Sequence, residues 1–341
     1  MGVIILVDWK INQDKFWLQD ELEKLEVPTA IFGIPNYSME NRLIRWRKII
    51  LWLQYLKLGI TGLLKSKKGD VIFCWNFVVG AMTGFFNRSL HTHRKILSVN
   101  MIVHNKGVLN NFVRNLVYNY TLKSNEFCLT INSSELVDLY KTKYNLRIKK
   151  YAELPDVFMN KYPAVTFDTG NGYIFSGGEA ARDWKTLLKV AWMNPDYKFH
   201  FIARKQYFPA NVAIPENVEI QFDTTEDIFY SLLGKCSLVV LPLHSLAPAG
   251  LIVLIRAAML SRPVIATSTP SIRQYIIHGK TGVLVKIEDP DNLSKEINLL
   301  MKSKDLREIY ADALKKHITH NFSQDMYSRR VVAILKNNKW I

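Results

Sequence analysis

The amino-acid sequence predicts an α/β protein made of two facing, doubly wound parallel-sheet domains. Its 341 residues suggest roughly two domains, and 48% of them are hydrophobic, which suits a globular protein with sizeable cores. Short apolar runs alternate with helix-like segments along both halves of the chain, as parallel strands and their crossover helices do. Ligands of such folds bind beyond the carboxyl ends of the strands, so we expect the site in the cleft between the two domains.

Each half of the chain contributes its own series of strand-like runs. Between the two series, residues 151–165 contain Pro155 and Pro163 and read as a linker. The runs of the first half lie at residues 3–7, 29–34, 71–75, 96–103 and 127–131. Those of the second half lie at residues 173–175, 199–203, 218–220, 238–241, 264–266 and 283–285.

The clearest local pattern lies at residues 248–285. Gly250 precedes a helix-length apolar segment, which Pro263 ends because proline lacks a backbone donor and restrains its neighbour. Further on, Asp289-Pro290 predicts the start of another helix, with Asp289 as the N-cap residue and Pro290 at the first helical position. A helix N-terminus attracts phosphate, and glycine lets a ligand approach the backbone closely. Ala249 and Gly250 therefore either form part of an anion site or allow tight packing.

Charge and cysteine usage limit the partners and the compartment. The net charge of +15 suits a nucleic acid, a membrane surface or an anionic substrate, and the chain shows no nucleic-acid-binding motif. Three widely spaced cysteines fit neither a disulfide framework nor a zinc site, which favours a reducing compartment. The apolar N-terminus lacks a basic lead-in and a small-residue cleavage site, so it reads as a first strand. We expect a cytoplasmic protein that binds no nucleic acid.

Residues 41–69 contain eight Lys or Arg and no acid, around an apolar middle that is too short and too interrupted to span a bilayer. A basic amphipathic helix with tryptophans suits the surface of an anionic membrane. The other interpretation is an ordinary core helix with solvated ends. The residues expected at the membrane are Arg42, Arg45, Trp46, Arg47, Lys48, Trp52, Lys65, Lys67 and Lys68.

Two elements carry a resemblance to a known family. The segment 176–188 reads SGGEAARDWKTLL, and the stretch 248–285 follows it in the expected order and spacing. Residues 120–325 thereby resemble the retaining GT-B glycosyltransferases of the family-four type (glycosyl transferases group 1), in a branch with an Arg-Asp-Trp element. The resemblance implies two Rossmann-like domains and a C-terminal crossover helix. The implied parts are an acceptor-binding, membrane-facing domain over 1–160, a nucleotide-sugar domain over 161–322, and a helix over 323–341 that returns to the first domain.

The same resemblance implies a nucleotide-diphosphate sugar as donor, with no metal and no other cofactor. His104 and Arg182 would be catalytic, and Gly177 and Gly178 would pass close to the diphosphate. For His104 a structural role stays open, and for Arg182 a surface position paired with Asp183 or Glu179. Solvated positions stay open for the lysines and for Arg204. The further donor-binding residues implied are Lys185, Arg204, Lys205, Phe222, Thr224, Ala249, Gly250, Leu251 and Arg256.

The chain departs from the family pattern at one point. The family has two glutamates around the phosphate helix, of which the second contacts the nucleotide ribose, and this sequence has Pro248 and Arg256 there. We expect a retaining, metal-independent transferase that uses a lipid-linked or polysaccharide acceptor in bacterial-type surface glycan synthesis, peripheral on the inner face of the plasma membrane. The alternative is a catalytically degenerate GT-B subunit that scaffolds or regulates another transferase. A nucleotide-sugar epimerase would need more catalytic acids and histidines than this chain offers.

Overall fold

A computed structural model describes residues 2–11, 16–35, 45–101, 108–158, 172–178 and 181–341. The chain divides into two compact units. The first unit comprises Met1–Pro155 with Gln324–Ile341, and the second comprises Asp156–Ser323. Arg42 and His104 lie outside the described residues, and of Arg45, Trp46, Arg47 and Lys48 only the helical backbone is described.

The first unit is built on a six-stranded parallel sheet in the part of the chain that the structure describes, with the strand order β2-β1-β3-β4-β5-β6. Its strands are β1 (Val3–Leu6), β2 (Thr29–Phe32), β3 (Val71–Cys74), β4 (Lys95–Ser98), β5 (Phe127–Ile131) and β6 (Tyr151–Glu153). Its helices are α1 (Trp17–Lys24), α2 (Arg45–Lys65), α3 (Phe77–Ser89), α4 (Val108–Leu122), α5 (Glu135–Tyr144) and α11 (Gln324–Asn337). The last helix, α11, packs on α1.

The central strands of this sheet are apolar because helices cover them. All four residues of β1 and of β3 are buried, as continuous apolar runs of parallel strands are. The strand β6 corrects the sequence interpretation, since it lies in the segment read as a linker. It has only three residues, and Tyr151 and Glu153 are exposed at the edge of the sheet, so no apolar run marks it. It pairs with β5 through Leu129 and Tyr151.

The second unit repeats the architecture with a sheet of six parallel strands, counted over its described residues, in the order β12-β11-β10-β7-β8-β9. Its strands are β7 (Ile174–Gly178), β8 (Phe199–Ala203), β9 (Val218–Phe222), β10 (Leu238–Leu241), β11 (Val264–Thr267) and β12 (Val283–Val285). Its helices are α6 (Trp184–Met193), α7 (Glu226–Lys235), α8 (Leu251–Met259), α9 (Pro290–Lys302) and α10 (Lys304–Asn321). The predicted fold class, two Rossmann-like parallel-sheet domains, is confirmed.

Helix starts in the second unit follow the expected N-cap chemistry. Asp289 accepts a hydrogen bond from the amide of Asn292 at 3.1 Å and Pro290 begins α9. Asp183 caps α6 by accepting from the amide of Thr186 at 3.0 Å. The helix α8 begins directly after Gly250 and ends at Met259, before Pro263. These ends follow from side chains that satisfy free amides and from proline that cannot continue a helix.

Candidate functional site

The strand order of the second unit places a crevice at the carboxyl ends of β7 and β10. From β7 the chain continues outward to β8 and β9, whereas β10, β11 and β12 lie on its other side. The loops that leave two such neighbouring strands diverge, and ligands of open α/β sheets bind where they do so. The strand β7 ends at Gly178 and the loop after it carries Arg182, whereas the loop after β10 leads to Gly250.

Two glycines end β7, and the space around each excludes a side chain. A Cβ on Gly177 would lie 2.6 Å from the Phe229 ring and 2.9 Å from that of Phe175. Gly178 has a φ of +140°, a conformation that side-chain-bearing residues rarely adopt, and its Cβ would lie 2.9 Å from Arg182 Nη2. Gly178 therefore allows the guanidinium of Arg182 to lie directly against the strand end, whereas Gly177 leaves room for the two phenylalanine rings.

Arg182 is the central residue of this site. It is buried, with 4% of its surface exposed, and its Nη2 donates a 2.6 Å hydrogen bond to the carbonyl of Gly177. Its Nε and Nη1 are inaccessible and have no hydrogen-bond partner within the described residues. Burial lowers the pKa of Arg182 from 12.5 to about 9, so it remains a cation at neutral pH. A buried cation with unused donors is costly, so this guanidinium is suited to bind an anion.

The backbone around Arg182 fixes its position. Arg182 forms an antiparallel bridge with Leu243, in the loop after β10. On either side of this bridge, the amide of Asp183 donates to the carbonyl of Pro242 at 3.0 Å, and the amide of His244 donates to that of Ala181 at 3.2 Å. The loops after β7 and β10 are thus joined, and the guanidinium is held between them.

The start of α8 lies against the same guanidinium. Gly250 is the N-cap residue, with φ at +76° and no side-chain cap for the free amides of the helix. A Cβ at this position would lie 3.8 Å from Arg182 Nη1, the nitrogen that has no partner. Free helix amides and a guanidinium both attract phosphate oxygens, so their convergence forms a candidate site for a phosphate or diphosphate. Such a site stabilises negative charge that develops on a bound group.

The other residues implied by the resemblance are distributed around this centre. Leu251 is buried and Ala249 half-buried at the start of α8. Arg204 follows β8 and lies 3.6 Å from the carboxylate of Asp223. The remaining positions are exposed or half-buried, at the surface of α6, at the end of β9 or in loops after strands: Lys185, Lys205, Phe222 and Thr224.

Arg256 takes part in contacts with α7. Its Nη2 donates to Glu226 Oε1, and its guanidinium lies over the ring of Tyr230, 4.5 Å from the centroid. Phe229 lies 5.9 Å from the same guanidinium and also borders Gly177. The sequence alone does not point to Glu226, which appears there only as an acidic residue at the start of a helix. Arg256 is thus paired with the carboxylate of Glu226 on α7.

Two general findings concern metals and thiols. Among the residues that the structure describes, no three His, Cys, Asp or Glu side chains lie together in a group that could hold a metal ion. Cys74, Cys128 and Cys236 are buried and free. Burial raises the pKa of each of these thiols to about 12, so they are protonated and unreactive in the folded protein.

The helix α2 presents an apolar stripe to solvent, which we define as Ile49, Trp52, Leu53 and Leu64. These side chains are 63%, 50%, 59% and 79% exposed, whereas the opposite side of the helix is buried in the core of the first unit. The exposed charges beside the stripe, from Lys57 to Lys68, are all positive. No helix in the described part of the chain is long and apolar enough to cross a membrane.

Comparison with a family model covers the side of this site at α8 and not the strand end with Arg182. Residues 187–317 match the family model of glycosyl transferases group 1, a range that includes Gly250 and α8. No curated protein matches the chain significantly in sequence.

Solved structures match the chain over nearly its whole length. HepE from Anabaena, solved with UDP and glucose, aligns with a TM-score of 0.64 and 14% identity, covering 99% of this chain and 100% of that one. Sucrose-phosphate synthase from Thermosynechococcus elongatus aligns with a TM-score of 0.67 and 12% identity over 99% of each chain. WaaG, a glycosyltransferase involved in lipopolysaccharide biosynthesis, aligns with a TM-score of 0.59 and 12% identity over 98% of this chain and 99% of that one. Residues 187–317 therefore match a model of the glycosyl transferases group 1, and the chain has the two-domain GT-B fold of these solved structures.

Proposed function

We propose that this protein transfers a sugar from a nucleotide-diphosphate sugar to a lipid-linked or polysaccharide acceptor, with retention at the anomeric carbon. The observation that carries the proposal is the guanidinium of Arg182, which is buried at the start of α8 with two donor nitrogens that lack a partner among the described residues. A diphosphate supplies the negative charge and the acceptor oxygens that these groups need. HepE, whose structure contains UDP and glucose, has the same fold and supports this ligand class.

The chemistry that these residues support is stabilisation of a leaving group. When the bond between the anomeric carbon and the diphosphate breaks, negative charge builds on the departing phosphate. Arg182 and the free amides of α8 would neutralise that charge without rearrangement, since the fold already holds them in place. In the proposed retaining reaction the acceptor attacks from the face that the diphosphate leaves, and the phosphate takes up the acceptor proton. We propose that the reaction is metal-independent, with Arg182 as the cation and His104 as a second catalytic residue.

Isothermal titration calorimetry with UDP, GDP and ADP tests the donor site. We expect one of them to bind the full chain and Arg182→Met to weaken that binding by about 100-fold, because charge-assisted hydrogen bonds are lost. Lys189→Met is the matched control, since Lys189 is exposed on the adjoining helix α6. A donor panel with membrane extract as acceptor then measures release of the nucleotide. Absence of binding by all three nucleotides, together with absence of turnover, would contradict the proposal.

The second candidate function is a catalytically degenerate subunit that scaffolds or regulates another glycosyltransferase. It is favoured by Pro248 and by Arg256, whose side chain is engaged with Glu226 and Tyr230. This candidate predicts that the protein co-purifies with a second transferase and binds no nucleotide sugar. Binding of a donor with turnover would rule it out.

We also propose that the α2 stripe docks on the cytoplasmic face of an anionic plasma membrane. Exposed Trp, Ile and Leu beside cations, without a neighbouring acid in the sequence from 41 to 69, combine apolar burial with attraction to anionic headgroups. A nucleic acid would attract the cations through its negative charge, but the apolar stripe would then stay exposed to water. A membrane position would bring the enzyme to a lipid-linked acceptor.

Co-sedimentation with vesicles tests this docking. We expect binding to vesicles of phosphatidylglycerol at low salt, release at high salt, and no binding to vesicles of phosphatidylcholine alone. The double substitution Trp52→Ser with Leu53→Ser should abolish binding, whereas Trp192→Ser, at a tryptophan that is 58% exposed in the second unit, should not. Vesicle binding that survives the double substitution would overturn the proposal. So would a dimer, detected by light scattering, that the same substitution dissociates.

A further inference from the structure

The first unit has a switch point of its own, between β1 and β3. The chain continues from β1 to β2 on one side, and β3, β4 and β5 follow on the other. In the register of this sheet Leu6 pairs with Cys74, and the amide of Trp75 donates to the carbonyl of Leu6 at 2.9 Å. The residues that follow the two strands therefore leave the sheet side by side, at the edge where such folds bind ligands.

A carboxylate and a carboxamide occupy this point. Asp8 follows β1 and is 8% exposed, and its Oδ2 accepts a 2.7 Å hydrogen bond from Asn76 Nδ2, two residues past β3. The hydroxyl of Tyr55 lies 3.4 Å from the same oxygen. The Oδ1 of Asn76 accepts from the amide of Val78 at 2.8 Å and begins α3, so the carboxamide is fixed in orientation. Asp8 is thus held as an oriented acceptor.

Two tryptophans accompany this polar pair. Trp9 follows Asp8, Trp75 precedes Asn76, and both rings are partly exposed. Their centroids lie 6.2 Å apart at an interplanar angle of 87°, and Phe16 lies 5.4 Å from Trp9 and 5.1 Å from Trp75. Three further aromatic rings have their centroids 5.7 to 6.0 Å from that of Trp75: those of Trp17, Phe73 and Tyr327. The pair is therefore rigidly packed, and the ligand can use only the part of each tryptophan that stays exposed.

The polar row continues across the sheet. Asn100 and Asn132 follow the next two strands, β4 and β5, as Asn76 follows β3. Asn132 is buried, and its Nδ2 has no hydrogen-bond partner among the described residues. A buried amide donor needs an acceptor, and a hydroxyl group supplies one.

We infer that the switch point of the first sheet is a saccharide subsite, in which Asp8 and Asn76 bind sugar hydroxyls and Trp9 or Trp75 packs against the ring. Sugars present hydroxyls, which both donate and accept, on an otherwise apolar ring. Carboxylates and carboxamides match the hydroxyls, and an aromatic face matches the C–H surface. A phosphate would be repelled by Asp8. The assignment of this saccharide as the acceptor rests on the proposed glycosyl transfer, whereas the binding chemistry does not.

Saturation-transfer NMR on the full chain tests the subsite with three probes: methyl β-D-glucoside, methyl β-D-galactoside and N-acetylglucosamine. We expect ring protons of at least one probe to receive saturation. Trp75→Leu and Asp8→Asn should each weaken its binding by about tenfold, since each removes one specific contact. The controls Trp192→Leu and Asp138→Asn, at exposed positions of α6 and α5, should bind as the wild type does.

The variant Trp75→Phe separates stacking from folding. It keeps an aromatic face and should retain the probe, whereas Trp75→Leu should lose the probe while circular dichroism shows that both variants are folded at the assay temperature. No signal from any of the three probes, or equal binding by Trp75→Leu and wild type, overturns the inference. UDP affinity, measured on the same samples, reports on the second unit. Wild-type protein that binds UDP but no saccharide contradicts the saccharide subsite alone. Protein that binds a saccharide but no nucleotide contradicts the proposed donor site instead.

Discussion

The substitution Gly178→Ala perturbs the diphosphate site at the point where the backbone supports Arg182. The added Cβ would lie 2.9 Å from Arg182 Nη2, closer than such atoms approach, and the backbone φ is +140°. A residue with a side chain in that region costs about 1–3 kcal/mol of unfolding free energy. The close contact also displaces the guanidinium from the carbonyl of Gly177, to which it is now bonded at 2.6 Å.

The effect on the ligand follows from the displaced guanidinium. A hydrogen bond to a charged group contributes about 1.5–3 kcal/mol, so the loss of one corresponds to roughly 10- to 150-fold weaker binding of the nucleoside diphosphate, taken here as UDP, the nucleotide in HepE. Calorimetry measures the affinity, and urea unfolding measures the backbone strain independently.

Gly69→Ala is the matched control for Gly178→Ala. Gly69 also has a positive φ, +102°, but nothing lies within 4 Å of its added Cβ. We expect it to lower the unfolding free energy by a similar amount and to leave UDP affinity unchanged. If Gly178→Ala binds UDP as tightly as the wild type does, or if Gly69→Ala weakens binding equally, the contact between Gly178 and Arg182 does not build the site.

Three further predictions concern stability and reactivity. Arg182→Met should leave the unfolding free energy unchanged or raise it by about 1 kcal/mol, because a buried cation with idle donors is removed; a loss of several kcal/mol in urea unfolding would contradict this. Burial lowers the pKa of His200 below 6.5, so the folded state binds its proton less readily than the unfolded chain does, and stability falls as pH drops through 6.5 toward the lowered value. His200→Gln should flatten that decline in thermal melts between about pH 7.5 and pH 5, and an unchanged slope would show that other groups dominate. Ellman's reagent should react with Cys74, Cys128 and Cys236 only after denaturant is added, since burial raises the pKa of each thiol to about 12; rapid reaction of native protein would show that one of them is accessible.

The central strands and several helix ends could be read from the sequence because their causes are local. A strand covered on both faces is a continuous apolar run, as β3 and β10 are. A helix begins where a side chain or a glycine accommodates free amides, as at Asp289 and Gly250. The edge strand β6 has neither signal, since two of its three residues are exposed.

The contacts that build the sites have causes that lie far apart in the chain. Glu226 meets Arg256 across 30 residues because β10 returns to the side of β7, which places α7 beside α8. Asp8 meets Asn76 across 68 residues because β3 pairs with β1 on the side opposite to β2. Local patterns determine neither strand order. Arg182 could be proposed as an anion ligand only through a resemblance, and the structure adds that its guanidinium lies against the strand end and the start of α8.

The path of the chain between the two units has a consequence for the order in which they fold. The second unit is one continuous segment, Asp156–Ser323, whereas the first combines Met1–Pro155 with Gln324–Ile341. During synthesis the six strands of the first sheet therefore leave the ribosome long before α11 does. Until then the rings of Trp17 and Trp75 lack Tyr327, which lies 5.6 Å and 5.7 Å from them. The second unit can therefore complete its fold before the first unit does, although the synthesis of the first unit begins earlier.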